Sequence, residues 1–130
     1  MKRYRPIFSE NKKEKFIAEL IEKTEENELS WEQSSTDNYN KFIYHSDLVI
    51  RLFVSHYKSK IFVVIEKKVS TYSSDFDDYF DKAYVEVLIL ESEVGLQTSI
   101  DQETVSRDLL FNLFSVIEDS TVDIENIFND

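Results

Sequence analysis

Five carboxylates crowd one short stretch of the chain: Asp75, Asp77, Asp78, Asp81 and Glu86. The chemistry such a run suggests first is a calcium loop, in which oxygens at fixed positions of a twelve-residue segment surround one hard cation. Asp75, Asp77, Asp81 and Glu86 fall at positions 1, 3, 7 and 12 of that template. The template breaks at its centre. Position 6 requires glycine for a sharp turn and holds Phe80, and position 5 requires a short oxygen donor and holds Tyr79. Glu86 also lies in a segment that reads as a strand. No metal site is expected, and the run reads as a solvated acidic loop anchored by aromatic side chains.

Other chemistries fare no better. His45 and His56 are the two side chains with an ordinary pKa near neutrality. His45 adjoins Ser46 and Asp47, but a catalytic triad is assembled in space from separated segments, not from neighbours in a turn. With 26 acids in 130 residues, a pair of nearby carboxylates is guaranteed and identifies no hydrolase. There is no cysteine, hence no thiolate nucleophile and no Cys-ligated metal. The single glycine, Gly95, cannot build a phosphate-cradling loop. No catalytic residue and no cofactor are expected.

Charge is divided along the chain. Residues 1–70 hold 13 basic and 11 acidic side chains, whereas residues 71–130 hold only Lys82 and Arg107 against 15 acids. The net charge of −11 therefore resides in the second half. That field repels nucleic-acid backbones and anionic lipid and suits a basic partner. The N-terminal Met1–Pro6 is basic but lacks the apolar run of a signal peptide, and no segment approaches the length of a membrane span. A cytoplasmic location is expected. Abundant Lys, Asn, Ile, Phe and Tyr, with 11 Lys against four Arg, match AT-rich codon usage.

The elements that position these residues follow from periodicity. After a basic tail at 1–8, Ser9 can cap a helix over about residues 10–27, with Phe16, Ile17, Leu20, Ile21 and Thr24 on one stripe. A short strand at Leu29–Trp31 follows, and a further strand is expected near Asn40–Tyr44. Leu48–His56 and Ile61–Lys68 flank a turn at Lys58-Ser59 and read as a hairpin. If Tyr57 opposes Lys60, then Val54 meets Val63, Leu52 meets Ile65, and Arg51 meets Glu66. Ser74 is expected to cap one helical turn bearing Phe76, Tyr79 and Phe80. A strand at about 83–91 follows, then a helix over about 102–118 capped by Asp101, and a short helix near 122–128. The expectation is one α+β domain over 1–130, with an antiparallel sheet of three to four strands. Two helices pack on one sheet face, followed by a short final helix.

Phe16-Ile17-Ala18-Glu19-Leu20-Ile21-Glu22-Lys23-Thr24, then Glu28-Leu29-Ser30-Trp31, resembles the opening of many small uncharacterised bacterial proteins, often prophage-borne. Leu110-Phe111-Asn112-Leu113-Phe114 followed by Ile124-Glu125-Asn126-Ile127-Phe128 is similar to their close. The resemblance covers about half the chain and implies the order of elements and a mobile-element setting. It carries over no functional residue.

One sheet face is expected to carry Val49, Phe53, Phe62 and Val64 beside Arg51 and Glu66, and to need cover. The short C-terminal helix, a second copy or another partner are the candidates. The expected function is a non-enzymatic, immunity-like interaction module that binds a basic protein, or itself as a homodimer. Its anchors are Tyr72, Asp75, Phe76, Asp77, Asp78, Tyr79, Phe80 and Asp81. The alternatives are a phage-encoded inhibitor that mimics nucleic acid, and a small enzyme with a pocket between sheet and helices.

Overall fold

β-Branched and aromatic residues on either side of Lys58-Ser59 fold back on one another with Tyr57 opposite Lys60. Val54 then meets Val63, Leu52 meets Ile65, and Arg51 meets Glu66, as the alternation of residue types requires. The turn takes Lys58 at φ 55°, a left-handed conformation usually left to glycine. The structure, a computed structural model, describes residues 5–37, 39, 48–91 and 95–122. In chain order these form α1 (Arg5–Glu25), β1 (Glu32–Gln33), β2 (Leu48–Tyr57), β3 (Lys60–Ser73), β4 (Asp78–Glu91), β5 (Gly95–Ile100) and α2 (Arg107–Thr121). The strands make one antiparallel sheet in the order β1-β2-β3-β4-β5. The expected strand at Asn40–Tyr44, the His45-Ser46-Asp47 turn and the short final helix near 122–128 lie outside the described residues, apart from exposed Val122, the C-cap of α2.

The fold is α+β, with five strands among the described residues where three to four were expected. β5 is the addition. Its polar Gln97-Thr98-Ser99 gives it little apolar alternation, and an irregularity in its pairing with β4 breaks what remains. Asp101 does not cap α2. It closes a separate turn, where its carboxylate accepts from the Glu103 amide at 2.9 Å and its carbonyl from the Thr104 and Val105 amides. The helix starts at Arg107, with Ser106 as its N-cap just after buried Val105.

α1 ends in a Schellman motif. The Glu28 amide donates to the Lys23 carbonyl at 2.8 Å and the Asn27 amide to the Thr24 carbonyl at 3.1 Å, with Asn27 at φ 61°. Two turns of chain then return to the helix: the Trp31 indole donates to the Thr24 hydroxyl at 2.9 Å, and that hydroxyl donates to the Leu20 carbonyl at 2.7 Å. Both residues are buried. The polar Thr24 on an apolar stripe is thus a fastening for Trp31.

Both sheet faces are apolar, and the helices cover the face opposite to the one expected. Ile17, Leu20 and Ile21 of α1 and Leu110, Leu113, Phe114 and Ile117 of α2 pack on Phe53, Phe62, Val64, Val85 and Val87. Phe53 and Phe114 meet edge to face at 5.6 Å, as do Phe16 and Phe62 at 5.7 Å. Phe53, Phe62 and Val64 are therefore interior residues, not an interface. Val49 does not share their face. The β2–β3 register shifts between Val49 and Arg51, so Ile50 is an extra residue and alternation reverses there. Val49 instead packs with Tyr39 against the second cluster, built on Leu52, Val54, Ile61, Val63, Ile65, Leu88 and Leu90. Hydrophobicity could not choose between two faces that are both buried.

This placement has a direct test. Phe53→Ala should lower unfolding free energy by about 3–5 kcal/mol in urea melts, with the same loss at every protein concentration. An interface residue would instead give a loss that depends on concentration.

Candidate functional site

β3 and β4 are each 14 residues long, and pair from Lys60 with Glu91 to Ser73 with Asp78 without a shift in register. Their neighbours are shorter. β2 leaves β3 at Lys68, and β5 leaves β4 at Val87. Among the described residues, the ribbon beyond Lys68 and Ala83 has no flanking strand. Five further residues on β3, at about 3.4 Å each, carry it about 17 Å outward. The expected helical turn at Ser74 is instead the tip of this arm.

The sequence marks where core ends and arm begins. Arg51 donates to Glu66 at 3.1 Å and to Glu118 of α2 at 2.6 Å, and its guanidinium lies 5.0 Å from the Phe114 ring centre. The hydrogen bond to Glu118, with that to Glu66 behind it, holds the guanidinium above its ordinary pKa. On the other face Lys67 donates to Glu86 at 3.0 Å. A further side chain closes the edge of β4, where the Val85 amide donates to Gln102 Oε1 at 3.3 Å. Residues inside this ring of polar contacts are buried on both faces, and residues beyond it are exposed or half-buried.

The arm gathers all eight residues singled out from sequence. Asp75, Phe76 and Asp77 lie in the tip, flanked by Tyr72 on β3 and by Asp78, Tyr79, Phe80 and Asp81 on β4. Phe76 is 83% exposed and Tyr79 68% exposed, unusual values for large apolar side chains. Directly paired Tyr72 and Tyr79 share a face and meet edge to face at 5.3 Å. Phe80 pairs with Thr71 on the opposite face. Asp77 takes a left-handed φ of 48° to turn the chain, a conformation that Asp tolerates better than most residues. Its carboxylate accepts the Tyr72 hydroxyl. The Tyr79 amide donates to Asp78 Oδ1 at 2.7 Å.

No family model, no curated protein and no solved structure matches the chain. The reading of the site therefore rests on its own chemistry. Asp81 and Glu86 stand in β4, away from the Asp75–Asp77 turn, and Glu86 holds Lys67, so the calcium-loop residues do not surround one point. Among the described residues no group of three or more His, Cys, Asp or Glu could hold a metal ion. Likewise, no described helix is long and apolar enough to cross a membrane. His56 is exposed on β2, and His45 lies outside the described residues. What the arm can offer is four carboxylates around four aromatic rings, on a support of regular backbone pairing.

Sequence reasoning missed a second feature, at the other end of β3. An apolar cleft of about 640 Å³ opens beside the β2–β3 turn, with Phe62 as floor, Phe16, Tyr57 and Ile89 as walls, and Lys58 and Lys60 at the rim. Its walls come from α1, β2 and β4, so no local pattern could have announced it.

The Tyr72–Asp77 bond makes the arm tip titrate in a defined direction. The bond to Asp77 raises the Tyr72 pKa above its ordinary value of 10.0, because ionisation would set two anions together. The stabilisation is present below the ordinary tyrosine pKa and is lost as pH rises through the raised value. Asp77→Asn should return the Tyr72 ring-carbon NMR titration to the ordinary range; an unchanged midpoint would mean that the bond does not form.

Proposed function

We propose that the protein is a non-enzymatic interaction module whose β3–β4 arm docks a basic protein partner, in the manner of an immunity protein. The observation that carries this reading is the arm itself: a paired ribbon that extends past the core and exposes four aromatic rings among four aspartates. Large apolar side chains at a protruding tip lose hydration when a partner covers them, and aromatic residues are over-represented among binding hot spots. Carboxylates around them accelerate encounter with a cationic surface and disfavour anionic ones. The net charge of −11 extends the same bias over the whole molecule. The resemblance to bacterial and prophage proteins, together with the lack of cysteine, favours action in a bacterial cytoplasm.

The arrangement of carboxylates supports steering over mimicry of nucleic acid. A mimic requires rows of charge along one surface. Asp78 and Asp81 are three residues apart on β4 and so project to opposite faces, while Asp75 and Asp77 occupy the turn. The result is a patch around a tip.

A photo-cross-linking phenylalanine analogue at Phe76, in the cell of origin, should capture a protein with a basic surface. The same analogue at exposed Glu103 should not. With that partner purified, Asp75→Asn with Asp81→Asn should slow association by about three- to tenfold and flatten its dependence on salt, leaving dissociation nearly unchanged. Equal capture at both positions, or an unaltered association rate, would contradict the proposal.

A further inference from the structure

The two faces of the arm carry different chemistry. On one, Tyr72 stands directly opposite Tyr79, and Ser70 directly opposite Asp81. On the other, Thr71 faces Phe80, Ser73 faces Asp78, and Val69 faces Lys82, whose ammonium lies 5.5 Å from the centre of the Tyr84 ring. The first face thus sets an aromatic pair beside a carboxylate. Directly opposed side chains start about 5 Å apart, and Tyr79 and Asp81, two residues apart on β4, about 7 Å. Ser70 is too short to fill the space between them. Tyr72 is held in place by the bond from its hydroxyl to Asp77 and by its edge-to-face contact with Tyr79 at 5.3 Å. Two of the arm's carboxylates are engaged, Asp77 by Tyr72 and Asp78 by the Tyr79 amide. Asp81 has neither a hydrogen bond nor an ion pair among the described residues, and Lys68, diagonal to it across the ladder, makes none either.

The molecule shows elsewhere what a ring beside a carboxylate holds. The Arg51 guanidinium lies 5.0 Å from the centre of the Phe114 ring and donates to Glu118 at 2.6 Å and to Glu66 at 3.1 Å. A planar guanidinium can lie on a ring face and fork to a carboxylate at once. Lys23 has the same two kinds of neighbour, but its ammonium is 5.7 Å from the centre of the Tyr57 ring and 3.8 Å from Glu28. A point charge on a flexible stem approaches neither as closely.

We propose that the Tyr72–Tyr79–Asp81 face takes an arginine side chain of the protein partner, its guanidinium stacked on the Tyr79 ring and donating to Asp81. The proposal rests on the reading of the arm as a docking element and names the side chain that it reads. The set of groups matches the one around Arg51, here on an exposed face and, among the described residues, without a cation of its own. Free arginine would gain little on so open a surface. An arginine on a protein brings a neighbouring area that also covers Phe76, 83% exposed three residues from Tyr79, and so keeps water from the ion pair. The opposite face is unsuited, because Lys82 stands beside Phe80 there. All the aspartates share the long-range attraction, whereas this face decides which cation stays. Asp81→Asn keeps an acceptor oxygen and acts mainly on encounter; Asp81→Leu removes the hold.

The probes are three acetylated and amidated tripeptides, Gly-Xaa-Gly with arginine, lysine or citrulline at the centre, titrated into the full-length protein and followed by NMR. On an open face the arginine peptide should bind with a Kd on the order of millimolar. It should shift the ring signals of Tyr72 and Tyr79 and the amides of Ser70 and Asp81, with NOEs from its δ-methylene to the Tyr79 ring. The lysine peptide should bind at least about threefold more weakly, and the citrulline peptide, equal in shape but uncharged, at least about tenfold more weakly. Tyr79→Leu and Asp81→Leu should each weaken arginine uptake by about three- to tenfold, whereas Phe80→Leu on the opposite face should not. All three positions are exposed, and circular dichroism should show the variants folded as the unaltered protein. Equal affinity for arginine and lysine, or shifts spread evenly over Asp75, Asp77, Asp78 and Asp81, would overturn the proposal. With a partner captured at Phe76, an unchanged dissociation rate in Tyr79→Leu would also overturn it while the docking role of the arm stood. Selective arginine uptake without capture of any protein at Phe76 would sustain the arginine site and remove the docking role.

Discussion

Fourteen consecutive cross-strand pairs join β3 to β4, and core and arm are the two ends of that single ladder. A two-stranded hairpin alone is marginal in water. Here the inner pairs, from Phe62 with Ile89 to Ile65 with Glu86, are held by burial on both faces. The outer pairs inherit their register and twist from them. A row of polar contacts sits where one regime passes into the other: Arg51 with Glu66 and Glu118 on the helix side, Lys67 with Glu86 on the other. These pairs keep half-buried charges matched at the rim of the core, so the strands can leave it without exposing an unsatisfied group there.

Much of this order was written in the chain. The β2–β3 register from Arg51–Glu66 to Tyr57–Lys60 could be read from the chain, because it had to satisfy two faces at once. Val54 against Val63 and Arg51 against Glu66 are compatible in only one alignment. The stripes of α1 and α2 were equally legible, since 3.6-residue periodicity survives any choice of partner. Thr24 was legible only as a member of the α1 stripe; its hydrogen bond from Trp31, which fastens the start of the sheet to the helix, was not.

Other features depended on information that residue types do not carry. Which sheet face lay beneath the helices was invisible because both are built from Val, Ile, Leu and Phe, and the extra residue Ile50 moved Val49 across. The aspartates and aromatics of 72–81 were recognised as a unit, but the tip was expected to be helical. Phe76, Tyr79 and Phe80 are spaced as on a helix, whereas pairing with Thr71 and Tyr72 across the turn puts Tyr79 and Phe80 on a strand. Tertiary pairing overrode local spacing. With one glycine in the chain, the left-handed turn positions among the described residues fell to Asn27, Lys58 and Asp77, so the usual punctuation of hairpins was missing. The lysine-rimmed cleft draws its walls from three elements and had no local signature at all.

The molecule that results is polar along its long strand, acidic and aromatic at one end, apolar and lysine-rimmed at the other. Both functional readings require the arm to be a preorganised ribbon, because a tip that must order on binding forfeits affinity to conformational entropy. Amide hydrogen exchange and cross-strand NOEs at Val69–Ser73 and Asp78–Lys82 measure that directly. The account predicts NOEs between Tyr72 and Tyr79 and between Thr71 and Phe80. It also predicts that alternate amides exchange more slowly than in an unstructured chain, with protection decreasing toward Phe76. Uniformly fast exchange, or the sequential NOE pattern of a helical turn at Ser74–Phe80, would contradict it.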